Sequence, residues 1–126
     1  MRKIINTTNA PAPIGPYNQA VLSGNTLYIS GQIPMDPNTG SLVEGDIKKE
    51  AEQCMLNLKA ILTEAGMNFE NVVKSSIFLS DMHQFSKINE VYAAYFDAET
   101  APARETVEVA NLPKFVNVEI SMIAVK

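Results

Sequence analysis

Apolar and polar residues recur with different periods along the chain, and each change of period marks an element. In YNQAVLSGNTLYISG two β-prone runs flank Gly24-Asn25, a pair suited to closing a hairpin. Leu27 and Ile29 fall on one side of the second run, and Thr26, Tyr28 and Ser30 on the other. The next stretch, IPMDPNTGSLVEG, holds Pro34, Pro37, Asn38 and Gly40, whose turn chemistry predicts a loop. From Asp46, a candidate N-cap, Ile47, Ala51, Cys54, Met55, Leu58, Ile61, Leu62 and Ala65 form a helical stripe that stops at Gly66. VVKSSIFLS at 72–80 is rich in β-branched residues and predicts a strand. Asp81 and Gln84 then have capping-box spacing ahead of a second helix, striped by Phe85, Ile88, Val91, Tyr92, Tyr95 and Phe96.

The chain closes on two alternating runs joined by a Leu-Pro-Lys turn. In the last run Val116, Val118, Ile120, Met122 and Ala124 form an apolar row, which turns Phe115, Asn117, Glu119 and Ser121 the other way. In the run before it, Ala103, Val107 and Val109 are taken as the packing row, so Arg104, Thr106 and Glu108 point away. The order is β-β-α-β-α-β-β, which predicts an α+β fold with two helices on one face of a mainly antiparallel sheet. On this reading Arg104, Glu119 and Ser30 share the face the helices leave open. Tyr28, Phe115 and Ile123 add apolar groups there, so that face is expected to pack against other copies of the chain. By themselves, an arginine and a glutamate on neighbouring strands equally describe a surface ion pair.

Composition narrows the function. A chain of 126 residues with 46% apolar and 19% charged residues predicts one domain, 1–126, around one core. The net charge is −4 and the sequence pI about 4.9, which makes a nucleic-acid partner unlikely because phosphate binding needs clustered Lys and Arg. Cys54, the single cysteine, falls in the helical stripe and is expected as a small buried hydrophobe. His83 falls in the first turn of the second helix and is expected in solvent. No Cys/His set has metal-ligand spacing. MRKIINTTN lacks the apolar stretch of a signal peptide and no run is long enough to span a membrane, so a cytoplasmic location is expected.

Four stretches, PIGPYNQA at 13–20, YISGQIPMDPNTG at 28–40, NEVYAAYF at 89–96 and PARETVEVANLPKFVNVEI at 102–120, together resemble the RidA (YjgF) family of reactive intermediate or imine deaminases. The resemblance covers nearly the whole chain. It implies a chorismate-mutase-like fold, a homotrimer with a central barrel, and three clefts between subunits. It further implies hydrolysis of 2-imino acids, and their enamine tautomers, to 2-keto acids and ammonia without cofactor or metal. Such imines come from pyridoxal-phosphate dehydratases acting on serine or threonine. By position, Arg104 matches the arginine that holds the substrate carboxylate, and Glu119 the carboxylate that orients or deprotonates the attacking water. Tyr17, Ser30, Gly31 and Asn89 match residues lining the cleft, and Thr106 stands there where many relatives have cysteine. Glu105 replaces a usually small residue beside the arginine, and DAETAPAR lacks the bulky residue many relatives place before Pro102. The competing function is a regulatory module that binds small carboxylates without turnover.

Overall fold

The computed structural model describes residues 2–126. One six-stranded sheet carries everything else, in the order β1-β2-β3-β6-β4-β5. The strands are β1 (Arg2–Ile5), β2 (Ala20–Ser23), β3 (Thr26–Gln32), β4 (Val72–Leu79), β5 (Ala103–Glu108) and β6 (Val118–Val125). Helix α1 (Ile47–Glu64) follows β3, and α2 (Phe85–Ala93) lies between β4 and β5.

Local chemistry sets most of these boundaries. Gly24 takes a positive φ of 61° to join β2 to β3. The Asp46 carboxylate accepts from the Lys48 and Lys49 N–H groups, satisfying donors that a helix start leaves free. Gly66, at φ 73°, turns the chain away after α1. Asp81 caps a short 3-10 turn, Met82–Gln84, rather than α2 itself, which begins at Phe85. His83 is exposed and hydrogen-bonds Asp81, as expected of a histidine at a helix entry.

The helices cover one face. Leu27 and Ile29 of β3, Ser75, Ile77 and Leu79 of β4, and Val118, Ile120, Met122 and Ala124 of β6 are buried against Cys54, Met55, Leu58, Ile61 and Leu62 of α1. Register confirms the shared face, because Ile77 sits opposite Ile120 and Leu79 opposite Val118. Cys54 is fully buried, and burial pushes its thiol pKa well up.

Two sequence expectations need correction. Arg2–Ile5 is a strand, paired antiparallel with β2, so the order is β-β-β-α-β-α-β-β. The sheet is mainly antiparallel, as expected, with four of its five pairings antiparallel and β4 and β5 parallel. Finally, β5 and β6 are not a hairpin, because β4 lies between them. The Leu-Pro-Lys connection is a 3-10 turn, Pro113–Phe115, in which Lys114 and Phe115 both adopt φ 56°. That left-handed pair costs an L-residue backbone roughly 1–2 kcal/mol per position, and it leaves Phe115 80% exposed.

Candidate active site

The predicted site residues fall into two groups on opposite faces of the sheet. The first surrounds Glu119 on the open face. Pairing between β3 and β6 shifts register between Ile29 and Gln32, so Ser30 and Gly31 bulge beside Glu119. A Cβ at Gly31 would collide with the Glu119 carboxylate, so any other residue there displaces that side chain from its place in the cavity. Tyr17, Ser30, Gly31 and Glu119, with Ile14, Ile33 and Pro113 as apolar wall, line a cavity of about 370 Å³. Burial pushes the Glu119 carboxyl pKa above its usual value, which favours a proton-accepting role nearer neutrality.

The loop in front of this cavity is fixed by one side chain. Gln19 is buried; its Oε1 accepts from the Thr7 N–H at 2.6 Å, and its amide nitrogen faces the carbonyls of Thr7, Ala10 and Pro11 at 3.0, 3.2 and 2.8 Å. The Gln19 carbonyl in turn accepts from the Ser30 N–H at 2.9 Å. The Ser30 hydroxyl donates to the Asn18 carbonyl at 2.7 Å, so toward a substrate it offers lone pairs. Tyr17 is the converse: its hydroxyl oxygen accepts from the Ile14 N–H at 3.3 Å, leaving its proton free to donate. Asn57, buried on α1, holds the carbonyls of Ile33 and Met35 on the other side of the cavity.

The second group surrounds Arg104. In parallel register Arg104 lies opposite Ser75, and Thr106 opposite Ile77, both on the helix-covered face. This overturns the expectation that Arg104 and Thr106 share the open face with Glu119 and Ser30; Ala103 and Val107 point to the open side instead. The guanidinium lies 4.8 Å from the Tyr92 ring centroid and 5.7 Å from that of Phe85, and donates to Asn89 Oδ1 at 2.9 Å. Tyr92 is itself fixed, its hydroxyl donating to Ser75 Oγ at 2.9 Å. Among the described residues Arg104 makes no ion pair. A half-buried fork with one neutral partner has donors left for a carboxylate. The Thr106 hydroxyl oxygen is buried without a hydrogen-bond partner.

Glu105 is explained by the same alternation. It points to the open face, accepts from Ser76 and pairs with Lys74 at 2.9 Å, so its charge turns away from Arg104. The Ser76 hydrogen bond, with Lys74 behind it, holds its carboxyl below the usual carboxylate range. Asn117 departs from the expected row because it precedes β6: its amide donates to buried Glu50 on α1 at 3.0 Å. Burial pushes the Glu50 carboxyl up.

A family model described as Endoribonuclease L-PSP matches residues 7–126. A solved structure from Yersinia pestis, described as a protein of unknown function of the conserved Rid protein family, has a TM-score of 0.97 and 46% identity, covering 100% of both chains. The chain belongs to the RidA (YjgF) family. Within RidA, the chain is 54% identical over 126 residues to a RutC family protein of Pyrococcus horikoshii, covering 100% of this chain and 99% of that one. It is 52% identical to a 2-iminobutanoate/2-iminopropanoate deaminase of Bos taurus, covering 100% and 91%. Among the described residues of this chain no helix is long and apolar enough to cross a membrane.

Sequence reasoning passed over two RidA residues that support the site. Tyr92, on the apolar stripe of the second helix, is buried in the core, but its ring face also carries Arg104. Gln19 lies inside a recognised motif, and a long polar side chain at the threshold of an apolar strand is the signal that would have singled it out.

The Glu119 environment carries a prediction. A carboxyl whose folded pKa is raised binds its proton more tightly in the native state, so that stabilisation is present at low pH and lost as pH rises through the folded pKa. At pH 7 the native chain therefore bears an unfavourable half-buried charge. Glu119→Gln is expected to raise the melting temperature at pH 7, with the gain shrinking as the pH falls through the raised folded pKa and gone once it is below the ordinary carboxylate value. A gain that is the same at both pH values would rule out burial of the charge as its cause.

Proposed function

We propose that this RidA protein hydrolyses short-chain 2-imino acids to 2-keto acids and ammonia, in clefts formed between the subunits of a homotrimer. The observation that carries the reading is the pair of half-sites: a carboxylate-free guanidinium on one face, and a half-buried carboxylate with a tyrosine donor on the other. Strand β4 separates their strands, so the two backbones lie about 10 Å apart across the sheet. Their side chains also leave in opposite directions, so one chain cannot place both on a molecule of a few atoms. A closed ring of identical subunits, each turning its β5 edge to its neighbour's Glu119 cavity, joins them three times. The exposed Tyr28 and Phe115, together with Ile4, supply apolar surface for such contacts. The name of the Bos taurus relative supports the substrate class.

Arg104 of one subunit binds the carboxylate through its fork and fixes the imine carbon next to Glu119 of the neighbour. Glu119 accepts a proton as water adds to that carbon, giving a carbinolamine. The proton passes to nitrogen, directly or through the Tyr17 hydroxyl, and ammonia leaves as the carbonyl forms. The balance is one imine and one water in, one keto acid and one ammonia out.

A coupled assay tests this. A dehydratase acting on serine or threonine supplies 2-iminopropanoate or 2-iminobutanoate, and the chain is expected to accelerate keto-acid release. Thermal stabilisation by 2-oxobutanoate with no acceleration would replace the enzyme with a carboxylate-binding module.

A further inference from the structure

We propose that Tyr92 is a positioning residue for the imine hydrolysis: its ring face, anchored through Ser75, holds the Arg104 fork in one pose before the substrate carboxylate arrives. This rests on the deaminase reading. Arg104 leaves an edge strand, β5, on one of the side chains with most rotamer freedom to lose. Among the described residues no carboxylate pairs with it. Its order has to come from elsewhere.

Helix α2 supplies that order from one side. Phe85, Asn89 and Tyr92 follow helical spacing, so they line up along the helix and meet Arg104 together. Asn89 Oδ1 accepts one N–H of the fork at 2.9 Å, and the Tyr92 ring lies against the guanidinium carbon at 4.8 Å from its centroid. Phe85, at 5.7 Å, adds a weaker contact. The Tyr92 ring cannot swing away, because its hydroxyl donates to Ser75 Oγ at 2.9 Å and both residues are buried. Ser75 is also the residue that β4 sets opposite Arg104. The three residues therefore close a loop across β5, β4 and α2: strand register joins Arg104 to Ser75, a hydrogen bond joins Ser75 to Tyr92, and the ring returns to Arg104. A fork held in this way has less freedom to lose when a carboxylate binds, so the ring adds affinity. The carboxylate is not the group that reacts, so the gain is equal in the ground and transition states and falls on KM rather than kcat.

The test separates the ring from the hydroxyl. Tyr92→Leu keeps an apolar side chain without the ring face, and is expected to raise KM for 2-iminobutanoate about tenfold with kcat within about twofold, the scale of a half-buried guanidinium on an aromatic face. Tyr92→Phe keeps the ring and loses only its anchor, so its KM is expected within about threefold of wild type. A spectroscopic signature checks the cause. Arg2 and Arg104 are the only arginines, so their two Nε–Hε NMR signals are assigned by Arg104→Lys. The Arg104 proton is expected to be ring-shielded in the wild type and in Tyr92→Phe, and to move toward the signal of exposed Arg2 in Tyr92→Leu. Thermal melts show which variants fold, and Tyr92→Met takes the place of Tyr92→Leu if that one does not. An Arg104 signal unmoved by loss of the ring, a loss carried by kcat with KM unchanged, or a phenylalanine variant as impaired as the leucine one overturns the inference and leaves the deaminase reading intact. A wild-type chain that hydrolyses no imine removes the reading, and the inference with it, even where the Arg104 proton is shielded.

Discussion

Mixing Arg104→Ala chains with Glu119→Gln chains, each nearly inactive alone, is expected to restore about one quarter of wild-type imine hydrolysis. The single substitutions set the baseline. Losing the carboxylate fork costs on the order of 4 kcal/mol of transition-state binding, about a thousandfold in kcat/KM, and Arg104→Lys loses most of the same because a point charge cannot replace two parallel hydrogen bonds. The recovery follows from the fold. Arg104 and Glu119 lie on opposite faces of the sheet, so on the proposed assembly a working cleft takes one from each of two chains. In an equal mixture unfolded and reassembled at random, half the clefts draw Arg104 from a Glu119→Gln chain, and half of those draw Glu119 from an Arg104→Ala chain, leaving about one in four intact. No recovery after confirmed subunit exchange would place the two groups in one chain's site and refute the shared cleft.

The second large effect is structural. Gln19→Ala removes four hydrogen-bond contacts and leaves a donor and three carbonyls of the 7–11 segment to find water. Buried groups left unpaired cost roughly 1–3 kcal/mol each, partly relieved here because the segment is near solvent, so a total of about 3 kcal/mol is expected. For a chain of this size that lowers the melting temperature by roughly 10 °C. Gln19→Glu is expected to be worse at neutral pH, because it sets a carboxylate against three carbonyl oxygens. A melting temperature within two or so degrees of wild type for both would show that the loop is held by other contacts. Turnover should fall further than stability alone explains, since Tyr17 and Ser30 hang from the same network.

The parts of this architecture legible in sequence are those written in a single period. Helix α1 is readable from its cap, stripe and terminating glycine, and β6 from strict alternation, because a central strand covered by helices on one side has a face for each class of residue. β5 is an edge strand with charges on both faces and a single valine, so alternation alone places Arg104 on the wrong face. Its true face is set by parallel pairing with β4, and a pairing partner leaves no mark within the strand's own residues. The Leu-Pro-Lys connection resembles a hairpin turn until Lys114 and Phe115 take left-handed backbone, a conformation their side chains give no reason to expect. β1 was missed because four residues with two charges among them carry too little periodicity to count. The site residues were nonetheless named by motif, and what the structure changed is which face of the sheet each one occupies.

That division has a genetic reading. On the proposed assembly, a gene copy encoding Arg104→Ala alone, expressed equally with a normal copy, leaves half the clefts intact, as simple loss of dosage would. A copy carrying Arg104→Ala and Glu119→Gln together spoils every cleft it touches from either side, and only about one in four survives. Two substitutions that each act as recessive losses thus combine, on one polypeptide, into a poison subunit.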